Sequence, residues 1–374
     1  MQGWGRTMMR RAHRSLGLEI SDRVLKLCEL HETRERKAKI MYYDTCELAE
    51  GTIVDGRIQN REAFQQALAD LVQLRNRKTS HIHLTVPSSL VMARTLQLPD
   101  IGVNELRKVI QYEMKNNLQV AFDNPHYDFI KLPPVASDHP DTEDELPDFG
   151  EGKAEDAAAS EGKGHKKLSN VLVVAAPTAE LNQYVDAVQA VKLRAVSIEI
   201  ASLSLLRLFE SLSIGQLGLH LVVNINRHSS EITIFEDGIF RMTRQIEVDI
   251  PRKGASLSES DEERKLGGLT WFDHLADPDP QYHQAVRELI AEIERIMDFY
   301  YYTIVNQRGH VFKQIWVTGD LEEMDDILQQ MRQQYSVEVA PLEWKYLLVQ
   351  EQEKSWSAAA YAVSLGLALR GGER

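Results

Sequence analysis

Two α/β lobes sharing one strand plan, with a small unit inserted into the first, are predicted for this 374-residue chain by three observations. Leu16 to Leu30 reads as two strands around a tight turn at Ser21-Asp22-Arg23, followed by a third strand, a helix and a fourth strand. A second three-strand opening recurs at His220 to Gln245, which indicates duplication. Between the two, Pro87 to Ile198 changes to strand, helix, two strands, helix and strand.

In chain order, the opening hairpin sets aliphatic residues around a small polar turn. Ile40 to Leu48 adds the third strand, and Glu50-Gly51 and Asp55-Gly56 turn the chain into a helix over Arg61 to Arg75. Phe64, Ala67, Leu68, Leu71, Val72 and Leu74 recur there with helical period and form one buried stripe. His81 to Val86 is the fourth strand, where His81 and His83 alternate as strand residues do. Within the insertion, Val91 to Leu98 is a strand and Val103 to Leu118 a helix with Leu106, Val109, Ile110 and Met114 facing in. Tyr127 to Leu132 and Val171 to Ala176 form a strand pair, joined by Ser137 to Lys167, whose scarce apolar surface predicts a disordered acidic loop. A helix over Ala179 to Val191, capped by Thr178, and a strand over Ala195 to Ile200 follow.

Ser202 to Leu212 is a helix, and Gly215 to Gly218 a break before the second opening: His220 to Asn226, Glu231 to Phe235 and Ile239 to Gln245. Pro251 to Tyr282 is irregular, with an apolar cluster at Leu269, Trp271, Phe272 and Leu275. A helix from Gln284 to about Tyr302 ends in the aromatic run Phe299 to Tyr302, expected to pack under the sheet. Gln314 to Thr318 is a strand, Leu321 to Gln334 a helix, Val337 to Val339 a strand and Ser357 to Leu369 an Ala-rich helix.

The formal charge of -13 argues against a general nucleic-acid binder, which needs clustered Lys and Arg. Cys28 and Cys46 fall in strands without C-x-x-C spacing, as suits a reducing cytoplasm. Since no apolar run approaches the roughly 20 residues of a membrane span, neither a transmembrane segment nor a signal peptide is expected. Arg6, Arg10, Arg11 and Arg14 around Trp4, Met8 and Met9 make residues 1–14 a basic extension. Hydrolase chemistry lacks both a Gly-x-Ser-x-Gly elbow and a Cys-His pairing.

The stretch L-G-L-E-I-S-D-R-V-L-K-L-C-E-L resembles the first phosphate loop of actin-like ATPases. It is closest to the form G-(I/L)-D-I-G-x-x-x-(I/V)-K-x-x-E-L of the PilM family, FtsA-like cytoplasmic proteins of type IV pilus machines. Gly17, Ile20, Lys26, Glu29 and Leu30 match, while Glu19 stands for the aspartate and Ser21 for the turn glycine. Val86-Pro87, Arg94, Leu98-Pro99, Glu105-Leu106, Glu113 and Asp128 fit that family's next motif, and the Ala-rich ending L-G-L-A-L-R its last helix. The resemblance implies an actin-like, two-lobed α/β fold of duplicated β-β-β-α-β units with an inserted strand-helix-strand-strand subdomain. It divides the chain into an extension 1–14; a first subdomain 15–90 with 194–213 and 355–371; an inserted subdomain 91–193 with its acidic loop 137–168; and a second lobe 218–354.

In such proteins ATP with magnesium would meet Glu19, Ser21, Asp22, Arg23 and Lys26 from the first turn, Asn226, Arg227, His228 and Ser229 from the second, and Gly319 and Asp320 from a later one. Ser21, Asn226 and Asp320 occupy glycine positions of that pattern. A non-glycine held left-handed there would cost roughly 1 to 2 kcal/mol. Asp22 would carry negative charge toward the phosphates, and Asn224 replaces a carboxylate. The expected function is therefore a scaffold with a degenerate nucleotide pocket, the alternative being a working ATPase. As the resemblance implies, it would be cytoplasmic, peripheral at the inner face of the membrane, and would grip the cytoplasmic tail of a bitopic PilN-like protein. Motor and platform components of pilus assembly are further expected partners, nucleic acid is not, and self-assembly is left open. The peptide channel is expected between the first subdomain and the inserted one, walled by Pro87 to Leu118 and Ala195 to Leu208.

Overall fold

The turn at Ser21-Asp22-Arg23 closes on itself: Ser21 N donates to Val24 O and Val24 N donates to Ser21 Oγ, each at 3.0 Å. It joins β1 (His13–Ile20) to β2 (Val24–Glu32), so the first strand begins inside the expected basic extension. This computed structural model describes residues 13–32, 38–73, 79–118, 120–122, 124–133, 168–215, 217–254, 279–302, 311–343, 348–349 and 359–372. Most of the acidic loop, 137–167, and the apolar cluster Leu269 to Leu275 lie outside the described residues.

The chain continues through β3 (Ala38–Glu47), a minimal hairpin of β4 (Ile53–Val54) and β5 (Arg57–Ile58), helix α1 (Arg61–Gln73) and β6 (His81–Thr85). Asp55 and Gly56 have φ of 49° and 73° at that hairpin, the left-handed pair that matches the twist of its strands. The insertion comprises β7 (Met92–Pro99), α2 (Val103–Asn116), β8 (Pro125–Lys131) and β9 (Leu168–Pro177). α3 (Thr178–Ala190), β10 (Arg194–Glu199) and α4 (Ala201–Leu212) return to the first lobe. The second holds β11 (Leu219–Ile225), β12 (Ser230–Glu236), β13 (Ile239–Ile246), α5 (Pro280–Tyr300), β14 (Phe312–Gly319), α6 (Met324–Gln334) and β15 (Glu338–Pro341). β16 (Leu348–Val349), a 3-10 turn at Ala359–Tyr361, α7 (Ala362–Leu369) and a second 3-10 turn at Arg370–Gly372 end the described chain.

The first sheet runs β10-β6-β1-β2-β3-β16 and the second β13-β12-β11-β14-β15. Counted from its own opening, each has the order third, second, first, fourth, fifth. In each, the first three strands pair antiparallel and the rest parallel. The expected duplication is present. β16 lies within the range assigned to the second lobe but pairs with β3 on the first sheet. β11 is buried along its whole length, as a central strand covered on both faces must be.

Several expectations are corrected. α3, assigned to the insertion, places Tyr184, Ala187 and Val188 in the core under the first sheet. Tyr184 meets Phe64 edge-on at 5.7 Å and donates to Gly56 O at 2.8 Å, so α3 is fixed to α1 and the small hairpin. Thr178 is not the cap: Pro177 holds that position, and Thr178 Oγ1 donates to Asn124 O at 2.8 Å. α5 starts earlier than expected, at Pro280, and α6 later, at Met324. Of the aromatic run only Tyr300 is buried, while Phe299, Tyr301 and Tyr302 are exposed.

α7 is apolar on every side and is accordingly buried, between β1 and α4. Glycines allow that closeness: a Cβ on Gly17 would lie 1.8 Å from Ser364 O, and one on Gly366 2.1 Å from Ser204 O.

Candidate functional site

The duplicated β1–β2 and β11–β12 turns face one another across the lobes. Between them lies a cavity of about 310 Å³ lined by Glu19, Ser21, Asp22, Arg23, Asn226, His228 and Ser229 among others. An adjoining cavity of about 520 Å³ adds Arg227 and Asp320. Lys26 lies beneath, only 3% exposed, and Gly319 packs against Ile225, whose carbonyl O would sit 1.8 Å from a Cβ there. The φ of 139° at Gly319 likewise favours glycine. Ser21 and Asn226, by contrast, are absent from the left-handed residues, so the expected strain does not arise.

The cleft's electrostatics do not suit a triphosphate. Each lysine and arginine among the expected residues already faces an acceptor: Arg23 Glu50 at 3.0 Å, Lys26 Asp320 at 2.9 Å and Arg227 Glu323 at 3.0 Å, and the His228 ring meets Asp249 at 2.7 Å. The amides of Ser21 and Asn226 donate to Val24 O and Ser229 O within their own turns. Asp22 Oδ1 accepts from Gly56 N at 3.1 Å, so this carboxylate anchors the small hairpin. Glu231, Asp55, Glu247 and Asp249 add further acid to the lining. Burial, against the pull of Lys26 and reinforced by Asp320 and Glu231, pushes the Glu19 carboxyl up to about 7. Burial also raises Glu231, which accepts from Ser88 of the first lobe and, at 3.2 Å, from Thr243 Oγ1. These residues do not fit a nucleoside triphosphate with its magnesium. Glu231 carries no motif; in the sequence it is simply a polar position, with Thr233, in the alternation with Ile232 and Ile234.

A second concavity, of about 580 Å³, opens between the insertion and the first lobe. One wall is a face of the three-stranded sheet β7-β9-β8, with His126, Asp128 and Ile130 opposite Ala176, Val174 and Leu172 in register. The alternation in β8 explains this face, because Tyr127 and Phe129 turn the other way and pack with α2. The facing wall is Leu181 and Val185 of α3, Ile198 to Ile200 and Leu203. Of the expected walls, Pro87 to Leu118 supplies Val91 and Ala195 to Leu208 four residues; β8, β9 and α3 were not foreseen. At one end Arg207 grips Glu199 with both arms, at 3.1 and 3.0 Å, and Arg370 reaches the same carboxylate at 3.0 Å.

Paired sheets of matching topology around a cleft formed by two hairpin turns define the actin-like fold. A solved structure described as a PilM-PilN type IV pilus biogenesis complex is similar over 96% of this chain and 99% of that one, with a TM-score of 0.71 and 17% identity. The family model described as type IV pilus assembly protein PilM matches residues 17–147, so the likeness to PilM drawn from the opening motif stands. Weaker likenesses are to the ethanolamine utilization protein EutJ from Carboxydothermus hydrogenoformans (11% identity, 96% of this chain and 89% of that one, TM-score 0.46) and to a Bacteroides thetaiotaomicron protein with an actin-like ATPase fold (9%, 91% and 94%, 0.42). No curated protein sequence matches. Among the described residues no helix is long and apolar enough to cross a membrane, and no group of His, Cys, Asp and Glu could hold a metal ion.

Proposed function

We propose that this chain is a scaffold of type IV pilus assembly whose groove, beside the inserted sheet, grips the N-terminal cytoplasmic tail of a bitopic PilN-like membrane protein. The observation that carries this reading is the groove itself. Its walls are mainly apolar, from Leu172, Val174, Leu181, Val185, Ile198 and Leu203, with charge concentrated at Asp128 and at the Glu199–Arg370 end. Such a lining suits an extended peptide with apolar anchors. The fold shared with a PilM-PilN complex supports the partner class. Binding that tail would hold the chain at the inner face of the membrane, within reach of motor and platform components. The paired lysine and arginines of the cleft favour a structural rather than a hydrolytic role.

Calorimetric titration with a synthetic N-terminal peptide of a bitopic PilN-like protein tests the reading. Ile130→Asp places a charge on a groove residue that is 54% exposed, so folding is spared. Binding to the unaltered chain, weakened about tenfold or more in the variant, is expected. Failure of the unaltered chain to bind, or steady hydrolysis of magnesium ATP, overturns the proposal.

A further inference from the structure

We propose that Lys26, Asn226 and Asp320 form a latch that holds the two lobes together in the place where related clefts hold a nucleotide. Lys26 projects from β2 of the first lobe. Asn226 begins the β11–β12 turn of the second, and Asp320 follows β14. Lys26 Nζ donates to Asn226 Oδ1 at 3.1 Å and meets Asp320 Oδ2 at 2.9 Å, with Glu19 Oε1 at 4.0 Å on its own side.

Asn226 and Asp320 stand at two positions where the resemblance places glycine. Glycine has no side chain with which to bind an ammonium group, and would leave Lys26 free to reach a phosphate. Both replacements instead converge on the same nitrogen, so they act as one device rather than as separate losses. A buried ammonium must be paired, and these residues pair it. The carboxylate is also aimed: Asp320 N donates to Ile225 O at 3.3 Å, and Gly319 permits that approach. Two further contacts run alongside. Ser88 bonds Glu231 across the lobes, and Thr318 Oγ1 donates to Ala359 O at 2.6 Å at the entrance to α7. The cleft is therefore closed at rest by the protein's own side chains, and closure does not await a ligand. This inference does not depend on the peptide groove.

The test is a lobe-to-lobe distance measured by paired spin labels on the full chain, at Glu62→Cys of α1 and Gln329→Cys of α6, both exposed, with Cys46→Ser to remove the accessible native thiol. The unaltered latch should give a narrow distance distribution that magnesium ATP does not move. Lys26→Met should shift the distribution to longer distances. Asn226→Gly with Asp320→Gly should also lengthen it, and should tighten magnesium ATP binding by about tenfold or more. Asp320→Asn, which keeps the shape and removes the charge, should broaden the distribution and serves if Lys26→Met does not fold. An unchanged distribution in the folded latch variants, or a shortening of the unaltered chain by magnesium ATP, overturns the latch. Peptide titration of the same variants separates the two proposals, since losing the latch leaves the groove walls in place.

Discussion

Glu19→Gln turns the cleft's buried carboxylate into a quantitative test. Glu19 is 8% exposed, and its carboxyl is pushed from 4.5 up to about 7 by burial, against Lys26 and with Asp320 and Glu231. At ~1.4 kcal/mol per pH unit that gap is worth about 3 kcal/mol. The folded state holds the proton more tightly than the unfolded one. This group therefore adds no penalty below about pH 4.5, erodes stability as the pH rises toward 7, and leaves the full penalty above it. Glutamine is neutral throughout. Urea unfolding followed by circular dichroism from pH 4.5 to 8 should show the variant gaining up to about 3 kcal/mol on the unaltered chain as the pH rises. A fixed offset from altered hydrogen bonding leaves that slope intact. Parallel pH profiles for the two proteins would refute the assignment of a buried, proton-holding Glu19.

Gly17→Ala should cost more than about 3 kcal/mol or prevent folding, because backbone on β1 and α7 meets at the new Cβ; solubility and thermal unfolding report it. Glu199→Gln strips the charge from a carboxylate whose side chain is 4% exposed and which Arg207 and Arg370 both meet at 3.0 Å. A loss of about 2 to 4 kcal/mol in urea unfolding is expected, and an unchanged midpoint would show the pair to be dispensable.

The strand plan was legible because it is written locally. Leu25 and Leu27 alternate beside a polar turn, Phe64, Leu68, Leu71 and Val72 repeat with helical period, and the His220 to Gln245 opening repeats the first. The turn residues of the cleft were legible for the same reason, since the motif places Ser21 and Asn226 at the tips of matching hairpins. Their strain was misjudged because backbone angle is set by the closed turn and not by residue type alone. The aromatic run misled because four neighbouring positions on a helix point in different directions and cannot all face one sheet. α3 misled because chain order placed it in the insertion, whereas its apolar face completes the core of the first lobe.

Sequence alone determined the hairpins, the amphipathic helices and their duplication, since each depends on residues a few positions apart. Only the tertiary structure decided that Lys26 meets Asn226 across 200 positions of chain, that Gly17 makes room for α7, and that one face of the inserted sheet forms a groove with α3. Such contacts follow from the packing of whole lobes, where a side chain's partner is chosen by the geometry of sheets folded far apart in sequence.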